Sequence, residues 1–599
     1  MRAVTRLRSW FLRTDVQTSI VAAVLATVIA VLTLGMIGMR WDVPLTYSGD
    51  GLAVAAHFKT ILSTGWYEYQ PALGAPYGQV YHDYPTADNL HFVAAWLLGL
   101  VFHNWGVIMN VHFLVGFPLA ALAAVWFLRR VGVSAVLTVV IAVLYAIAPY
   151  HFSRSEGHLF LSWYWVVPLV LVIVYDVLVG APIWGARAGV RRGLGHILGR
   201  SGGTAAVLVL TASAAAYYAV FALILGGIAA LAALWLTRNW RRFAGAAVAA
   251  GVLVVTLVAN MTPDLLYRLT NGADPGALQR TPVESEIYAL KLTQLLLPAS
   301  WHRFGPFRFL REQYDAHYPL PSEGPALGLI AAAGLIALVI AAFYVIARTV
   351  LTPKAEHGDL ANRLMPLAFL ALLAFLFSTV GGLSTLISFV STALRSWNRM
   401  SIVIAMLALA AVGILLDVAI RWLVARRNLA AVPARIAVVA LGIVVLLVGT
   451  WDQTPPIDTS ARAATVASFD SDAAFSADLE TALDTGAMVF ELPYIDFPES
   501  PPVGRTLDSD QFRVFLHSTT LRFSGGGIRG RDTIDGLGDL ADLTPAEFVA
   551  GATELGFVGV VLDTFGYSSQ QELDSLRDVA TGAEIDSPDG RFVYLGFAD

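Results

Sequence analysis

The sequence predicts an all-α polytopic membrane domain of about 11 transmembrane helices, followed by a soluble C-terminal α/β domain. Three observations predict it. Of 599 residues, 57% are hydrophobic and only 14% charged, with a mean hydropathy of +0.65, whereas a soluble domain is about a quarter charged. The apolar residues come in runs long enough to cross ~30 Å of hydrocarbon at 1.5 Å per residue. The charge is also divided: residues 451–599 hold 26 Asp and Glu against 8 Arg, a net of −18, while the first 450 hold 31 basic against 18 acidic residues, a net of +13. A basic membrane body, 1–450, therefore carries an acidic soluble domain, 451–599. This excludes a soluble enzyme for most of the chain, and no nucleic acid is expected as partner.

Taken in order, the apolar runs lie at about 17–38, 105–127, 133–150, 159–179, 203–216, 217–236, 243–261, 326–347, 364–380, 401–420 and 432–450. The first follows the charged segment MRAVTRLRSWFLR but is too long for a signal peptide and has no small-residue cleavage site, so it reads as an uncleaved span. The stretch 203–236 is either one long tilted helix or two helices with a turn near Ala216-Tyr217-Tyr218. Charge favours two. With the stretch divided, the short loops on one side carry 20 basic residues, among them Arg2, Arg6, Arg8, Arg13, Arg129, Arg130, Arg187, Arg191, Arg192 and Lys354. The positive-inside rule places them in the cytoplasm. The other side then receives the loops 39–104, 151–158, 262–325 and 381–400 and the acidic domain.

Without cysteine, no disulfide can report the compartment. Only three of the 39 basic residues are Lys (Lys59, Lys291, Lys354), which reads as the codon bias of a GC-rich bacterial genome; the expected location is a bacterial plasma membrane. The domain 451–599 opens on a Pro-rich linker. MVFELPY (488–494), GFVGVVLD (556–563) and RFVYLGF read as strands, AEFVAGATELG and SQQELDSLRDVA as amphipathic helices, giving an α/β domain. There is no internal repeat, P-loop, dinucleotide fingerprint or zinc-type spacing. Gly525-Gly526-Gly527 lacks the strand and helix context of a nucleotide loop.

The polar residues that carry chemistry gather in the external loops. The first, YSGDGLAVAAHFKTILSTGWYEYQPALGAPYGQVYHDYPTADNL, offers Asp50, Asp83 and Asp88 with His57 and Lys59 among aromatic side chains. A lone Asp before a helix is ordinarily an N-cap, but a loop of this length between spans is ordinarily functional. The second, PYHFSRSEGHLFLSWY, sets Arg154, Glu156 and His158 between two apolar helices, where polar groups must pair or face water. Glu156 and His158 together with Asp50 offer three ligands for a divalent ion, Mg or Mn; the alternative is a Glu156–Arg154 pair with His158 at the lipid headgroups. The segment TPVESEIYALKLTQLLLPASWHRFGPFRFLREQYDAHY adds Glu284, Lys291, His302 and Arg303, and within it EIYALKLTQLLLP reads as an amphipathic stretch along the interface. LRSWNRM adds Arg395, Asn398 and Arg399, two guanidinium forks at a spacing that suits one phosphate, or else arginines that snorkel to headgroups.

This layout resembles the GT-C superfamily of integral-membrane glycosyltransferases. The resemblance rests on a span, a long external loop opening on an acidic residue in YSGDG, two further spans, and a second polar loop in SRSEGH. It implies a GT-C-like membrane fold over roughly residues 1–260 and transfer of a sugar from a polyprenyl-phosphate donor to an acceptor outside the membrane, whether glycan, lipid or protein. It also implies Asp50 as the residue that activates the acceptor or holds the metal, and Glu156 and His158 in the place of an acidic pair, from which Glu-x-His departs. The whole chain also looks like bacterial multi-span proteins of unassigned role, in the blocks HDYPTADNL, PYHFSRSEGHLFL, EIYALKLTQLLLP and LRSWNRM. The competing readings are a transporter or flippase for lipid-linked saccharides, which calls for paired repeats or mid-membrane charges, and a non-catalytic assembly scaffold.

Overall fold

A computed structural model describes residues 14–186, 194–319, 323–352, 358–428 and 430–598. The orienting residues Arg2, Arg6, Arg8, Arg13, Arg187, Arg191, Arg192 and Lys354 lie outside the described residues. The expected apolar runs are helical: α1 (Thr14–Thr33), α4 (Trp105–Arg130), α5 (Ala135–Ala146), α6 (Val166–Val179), α7 (Leu194–Ala214), α8 (Ala216–Thr237), α9 (Trp240–Asn260), α10 (Leu329–Leu351), α11 (Asp359–Ser378), α12 (Ser401–Arg427) and α13 (Ala431–Gln453). Between α1 and α4 lie α2 (Asp50–Thr64) and α3 (Asn89–Gly99); α14 (Thr459–Ala482) opens the C-terminal region. By length and composition, nine helices among the described residues can cross a membrane. The chain is a multi-pass membrane protein.

One expected span is shorter than its apolar run, the division of 203–236 that charge favoured is present, and one expected amphipathic stretch is interrupted. The run 159–179 is helical as a span only from Val166; Leu159–Ser162 forms a separate turn of helix, and α6 has 14 residues. At 1.5 Å per residue α6 reaches only ~21 Å, so the missing length is replaced by the non-spanning segment before it. The stretch 203–236 is two helices, divided at Ala215, which is extended (φ −167°, ψ 133°). EIYALKLTQLLLP is not one amphipathic helix: Glu284–Ile287 and Leu292–Leu296 flank Leu290, which bridges to Thr379, and Gln294 and Leu295 are buried.

The helix α12 forms the centre of the membrane body, packed by α5, α10 and α11. Small residues allow the closest approach, as expected where helices associate by van der Waals contact. A Cβ on Gly334 of α10 would lie 2.2 Å from the Ala408 carbonyl oxygen of α12. Gly334→Leu is therefore expected to lower stability by at least ~1–3 kcal/mol, the range for overpacking, seen as a lower melting temperature in detergent; an unchanged melting temperature would contradict this packing.

A hairpin of β1 (Tyr69–Gln70) and β2 (Gln79–Val80) belongs to the first loop. The C-terminal region folds around β3 (Met488–Leu492), β4 (Arg522–Phe523), β5 (Phe557–Asp563), β6 (Glu584–Asp586) and β7 (Phe592–Gly596), in the order β4-β3-β5-β7-β6. The β4-β3-β5 part is parallel and the β5-β7-β6 part antiparallel. Alternating helices and near-continuous apolar strands produce it, since parallel strands must be covered on both faces.

This domain is docked on the loops by polar contacts. Tyr47 Oη donates to Asp472 Oδ2 at 2.7 Å, and Arg462 donates to the carbonyls of Pro44 (2.8 Å) and Val43 (3.1 Å). The edge strand β4 is extended by the first loop, with Phe523 N on Ala72 O at 2.9 Å and Ala75 N on Phe523 O at 2.8 Å. The triple glycine is part of this seam: Gly74 N donates to Gly525 O, and a Cβ on Gly74 would meet Gly527 Cα at 3.0 Å.

Candidate active site

Where α7 ends and α8 begins, the loops and the C-terminal domain enclose a cavity of about 610 Å³. Its wall combines Asp50, His57 and Asp88 from the first loop, His158 and Leu159–Leu161 from the second, Ala215–Tyr217 at the helix break, Arg280, Tyr288 and Glu323 from the third, Arg395 and Arg399 from the fourth, and Phe497–Glu499, Asp508 and Ser509 from the C-terminal domain.

Asp50 is the first residue of α2; Gly49, at φ 53°, is the cap. That backbone conformation suits glycine and turns the helix start toward the cavity. The N-cap reading of Asp50 therefore fails: its carboxylate makes no capping bond and no hydrogen bond to any described residue, and its nearest ionic neighbour is His158 Nε2 at 3.7 Å. The side chain is 75% accessible and lines the cavity. Enclosure by protein, with the nearby charges of Glu499 and Asp508, pushes its pKa up, against the pull of Arg399 and Arg395. Burial pushes His158 down to about 4, helped by Arg154 and Arg399, so its imidazole is neutral at pH 7. An unbonded carboxylate with a raised pKa beside a neutral imidazole is equipped to accept a proton.

The arginines are held in two ion-pair groups. Arg399 grips Glu323 through two nitrogens (3.1 and 3.0 Å) over the Tyr217 ring, and Arg154, 1% exposed, binds the same carboxylate at 2.7 Å. Against burial, which alone would raise it, Arg154 and Arg399 hold Glu323 at about 2. Arg395 meets Glu284 and Glu499, each at 3.1 Å, and Arg280 meets Glu499 at 2.7 Å. Arg395 and Arg399 thus share the cavity, as their spacing suggested, but they are not two open forks on one point: each already holds a carboxylate.

Other expectations need correction. The three proposed metal ligands do not assemble. Glu156 is fully buried with Oε2 on the Thr46 backbone N–H at 2.9 Å, is absent from the cavity wall, and burial raises it to about 7. Among the described residues no group of three His, Cys, Asp or Glu is placed to hold a metal. The expected Glu156–Arg154 pair is also absent, because Arg154 turns to Glu323. Several candidate substrate ligands serve the framework instead. Asp83 pairs with Arg531 (2.6 Å) and so docks the C-terminal domain. Lys59 donates to the carbonyls of Phe515 and Ser518, and burial lowers it to about 7. Lys291 donates to Ile287 O, His302 contacts Asp452 at 3.1 Å, and Arg303 holds the linker through Trp451 O and Pro455 O. Asn398 is 1% exposed, its backbone N on Tyr288 O. His57 and Asp88 do line the cavity, His57 as a ring packed on Tyr81, its pKa pushed to about 3 by burial, and Asp88 bonded to Thr86, pushed up to about 6 by burial.

Sequence reading missed Glu323, Arg280, Glu499 and Asp508. Glu499 lies in the polar stretch FELPYIDFPES; Glu323 carried no local signal because its partners are far away in the chain, and Arg280 offered only Glu284 four residues on, while its closer partner Glu499 is 219 positions away.

No family profile and no curated protein matches the sequence. Solved structures do. The chain is similar to ArnT from Cupriavidus metallidurans bound to undecaprenyl phosphate (13% identity, 97% of this chain and 98% of that chain, TM-score 0.45). It is also similar to the oligosaccharyltransferase AglB from Archaeoglobus fulgidus in complex with an inhibitory peptide and a dolichol-phosphate (11% identity, 96% and 74%, TM-score 0.42). A third is the arabinofuranosyltransferase AftD from Mycobacteria (15% identity, TM-score 0.46), of which this chain spans 40%.

Proposed function

We propose that the chain is a membrane glycosyltransferase that moves a sugar from a polyprenyl-phosphate donor to an acceptor on the extracytoplasmic face of a bacterial plasma membrane. One observation carries the reading: Asp50, a carboxylate with no hydrogen bond among the described residues, lines the same cavity as Arg395 and Arg399, beside the break between α7 and α8. The acceptor hydroxyl oxygen bonds to the anomeric carbon, its proton passes to Asp50, and the bond from that carbon to the phosphate oxygen breaks. The departing polyprenyl phosphate gains one negative charge. Arg395 and Arg399 stand where that charge develops, and fixed cations in an enclosed site stabilise it without reorganisation.

The test is transfer of labelled sugar by the purified chain from polyprenyl-phosphate donors, wild type against Asp50→Asn. Absence of transfer from every such donor, by a folded wild type, would reject the reading. The pH profile is a further check. Because the base must be deprotonated and its pKa is raised, the acid limb of kcat/KM is expected above ~4, the ordinary aspartate value. Asp508→Asn removes one of the neighbouring charges that raises Asp50, so the limb should move to lower pH; a shift to higher pH would contradict the assignment of the limb to Asp50.

A further inference from the structure

The two clusters at the cavity contain four cations, Arg154, Arg280, Arg395 and Arg399, and three carboxylates paired with them, Glu284, Glu323 and Glu499. Four cations against three carboxylates leave only one positive charge over before any substrate enters. Asp50, whose ionic neighbour is the neutral His158 at 3.7 Å, and Asp508, with no ion pair among the described residues, add two negative charges on the same wall and outweigh that one. An anionic headgroup added to this arrangement would meet net repulsion in an enclosed site, where charges interact more strongly than in water. One carboxylate must give way.

The structure distinguishes which. Glu323 is 16% exposed and is locked between two arginines, one of them buried. Glu284 starts a helical turn and is fastened to the Thr281 backbone N–H at 3.0 Å. Glu499 alone comes from the C-terminal domain, on an irregular segment between β3 and β4. It is 29% exposed and its φ is 58°, a left-handed value that a side-chain-bearing residue rarely adopts. Its two oxygens reach separate partners: Oε1 meets Arg280 Nη2 at 2.7 Å and accepts from Tyr84 Oη at 3.0 Å, while Oε2 meets Arg395 Nη2 at 3.1 Å. A carboxylate bridging two guanidinium groups and a phenol has the donor set of a phosphate site. Arg280 Nη1 is buried with no hydrogen-bond partner among the described residues, Glu284 Oε2 lying 3.9 Å away, beyond hydrogen-bond reach. Backbone strain of this kind is kept where the surroundings hold it, commonly at ligand clamps.

We propose that Arg280, Arg395 and Tyr84 form an anion subsite which the chain's own Glu499 fills at rest, and that the phosphate of the lipid-linked donor binds by displacing Glu499. The proposal rests on the glycosyltransferase reading for the identity of the anion. It makes the C-terminal domain a part of donor binding: the segment 497–499 closes on the cavity when empty and is released when phosphate arrives. The affinity for the donor is then reduced by the fraction of molecules in which Glu499 occupies the subsite.

The experiment is a binding titration of the full-length protein in nanodiscs, with farnesyl phosphate and, separately, inorganic phosphate. Wild type is compared with Glu499→Gln, Glu499→Asp and Arg280→Gln, and each variant's melting temperature is recorded. Glu499→Gln removes the competing charge and should tighten farnesyl phosphate by ~10-fold or more, the factor expected if the resting contact is about nine-tenths populated. Glu499→Asp should lie between it and wild type, and Arg280→Gln should bind more weakly than Glu499→Gln. Unchanged or weaker binding by Glu499→Gln at a normal melting temperature overturns the proposal, and if that variant does not fold, Glu499→Asp binding no tighter than wild type overturns it. Sugar transfer by wild type alongside either result would leave the proposed reaction standing. If instead Glu499→Gln gains affinity for inorganic phosphate while neither protein binds farnesyl phosphate, the subsite is supported and the lipid donor is rejected.

Discussion

Asp50→Asn is expected to lower transfer by about two to four decades, the usual range for losing a general base, with little change in folding. The physical grounds are local. Asparagine has the same shape, and the aspartate it replaces makes no hydrogen bond that holds the loop together. It caps no helix, and its only ionic neighbour among the described residues is a neutral imidazole at 3.7 Å. Removal of the charge near Arg395 and Arg399 leaves both on their other carboxylates. The loss should therefore appear in kcat, with donor KM no higher than in wild type, since a negative charge is removed from the wall that meets the phosphate, and the melting temperature close to wild type. Near-normal kcat in the variant would remove Asp50 from the chemistry.

The second large effect concerns Glu323→Gln. Arg154, 1% exposed, and Arg399, 13% on its side chain, share that carboxylate as their only acidic partner among the described residues. Neutralising it leaves two enclosed guanidinium groups without a counter-charge. Breaking a buried pair in this way costs about 3–5 kcal/mol. Glu323→Gln should lower the melting temperature strongly or prevent recovery of folded protein, and Glu323→Asp, too short to span both arginines, should be intermediate. Glu156→Gln supplies the contrast. Glu156 is more deeply buried, but it accepts a backbone N–H and forms no ion pair among the described residues, and an amide oxygen can accept the same bond. Its effect should be within ~1 kcal/mol, about one ordinary hydrogen bond, with transfer retained. Abolished transfer in Glu156→Gln would restore its role as a metal ligand.

The sequence determined the membrane body and the acidic domain, because hydrocarbon and water sort side chains by composition and by run length, and both are readable one residue at a time. It also marked Asp50: glycines on both sides of an acidic residue just after a span are a local pattern with a local consequence, a helix start turned outward. Arg395 and Arg399 were legible for the same reason, as two cations at a fixed spacing beside a span. What the sequence left open was partnership. Arg154 stands two residues from Glu156 yet binds Glu323, 169 positions away; Lys59, in the most suggestive loop, is spent on carbonyls of the C-terminal domain. A charged group surrounded by protein takes whichever counter-charge the packing brings within about 3 Å, and sequence distance does not enter that choice. Only the tertiary structure could decide that Glu156 stays apart from Asp50 and His158, that the arginines already hold carboxylates, and that Glu499 from the far end of the chain occupies the place between two of them.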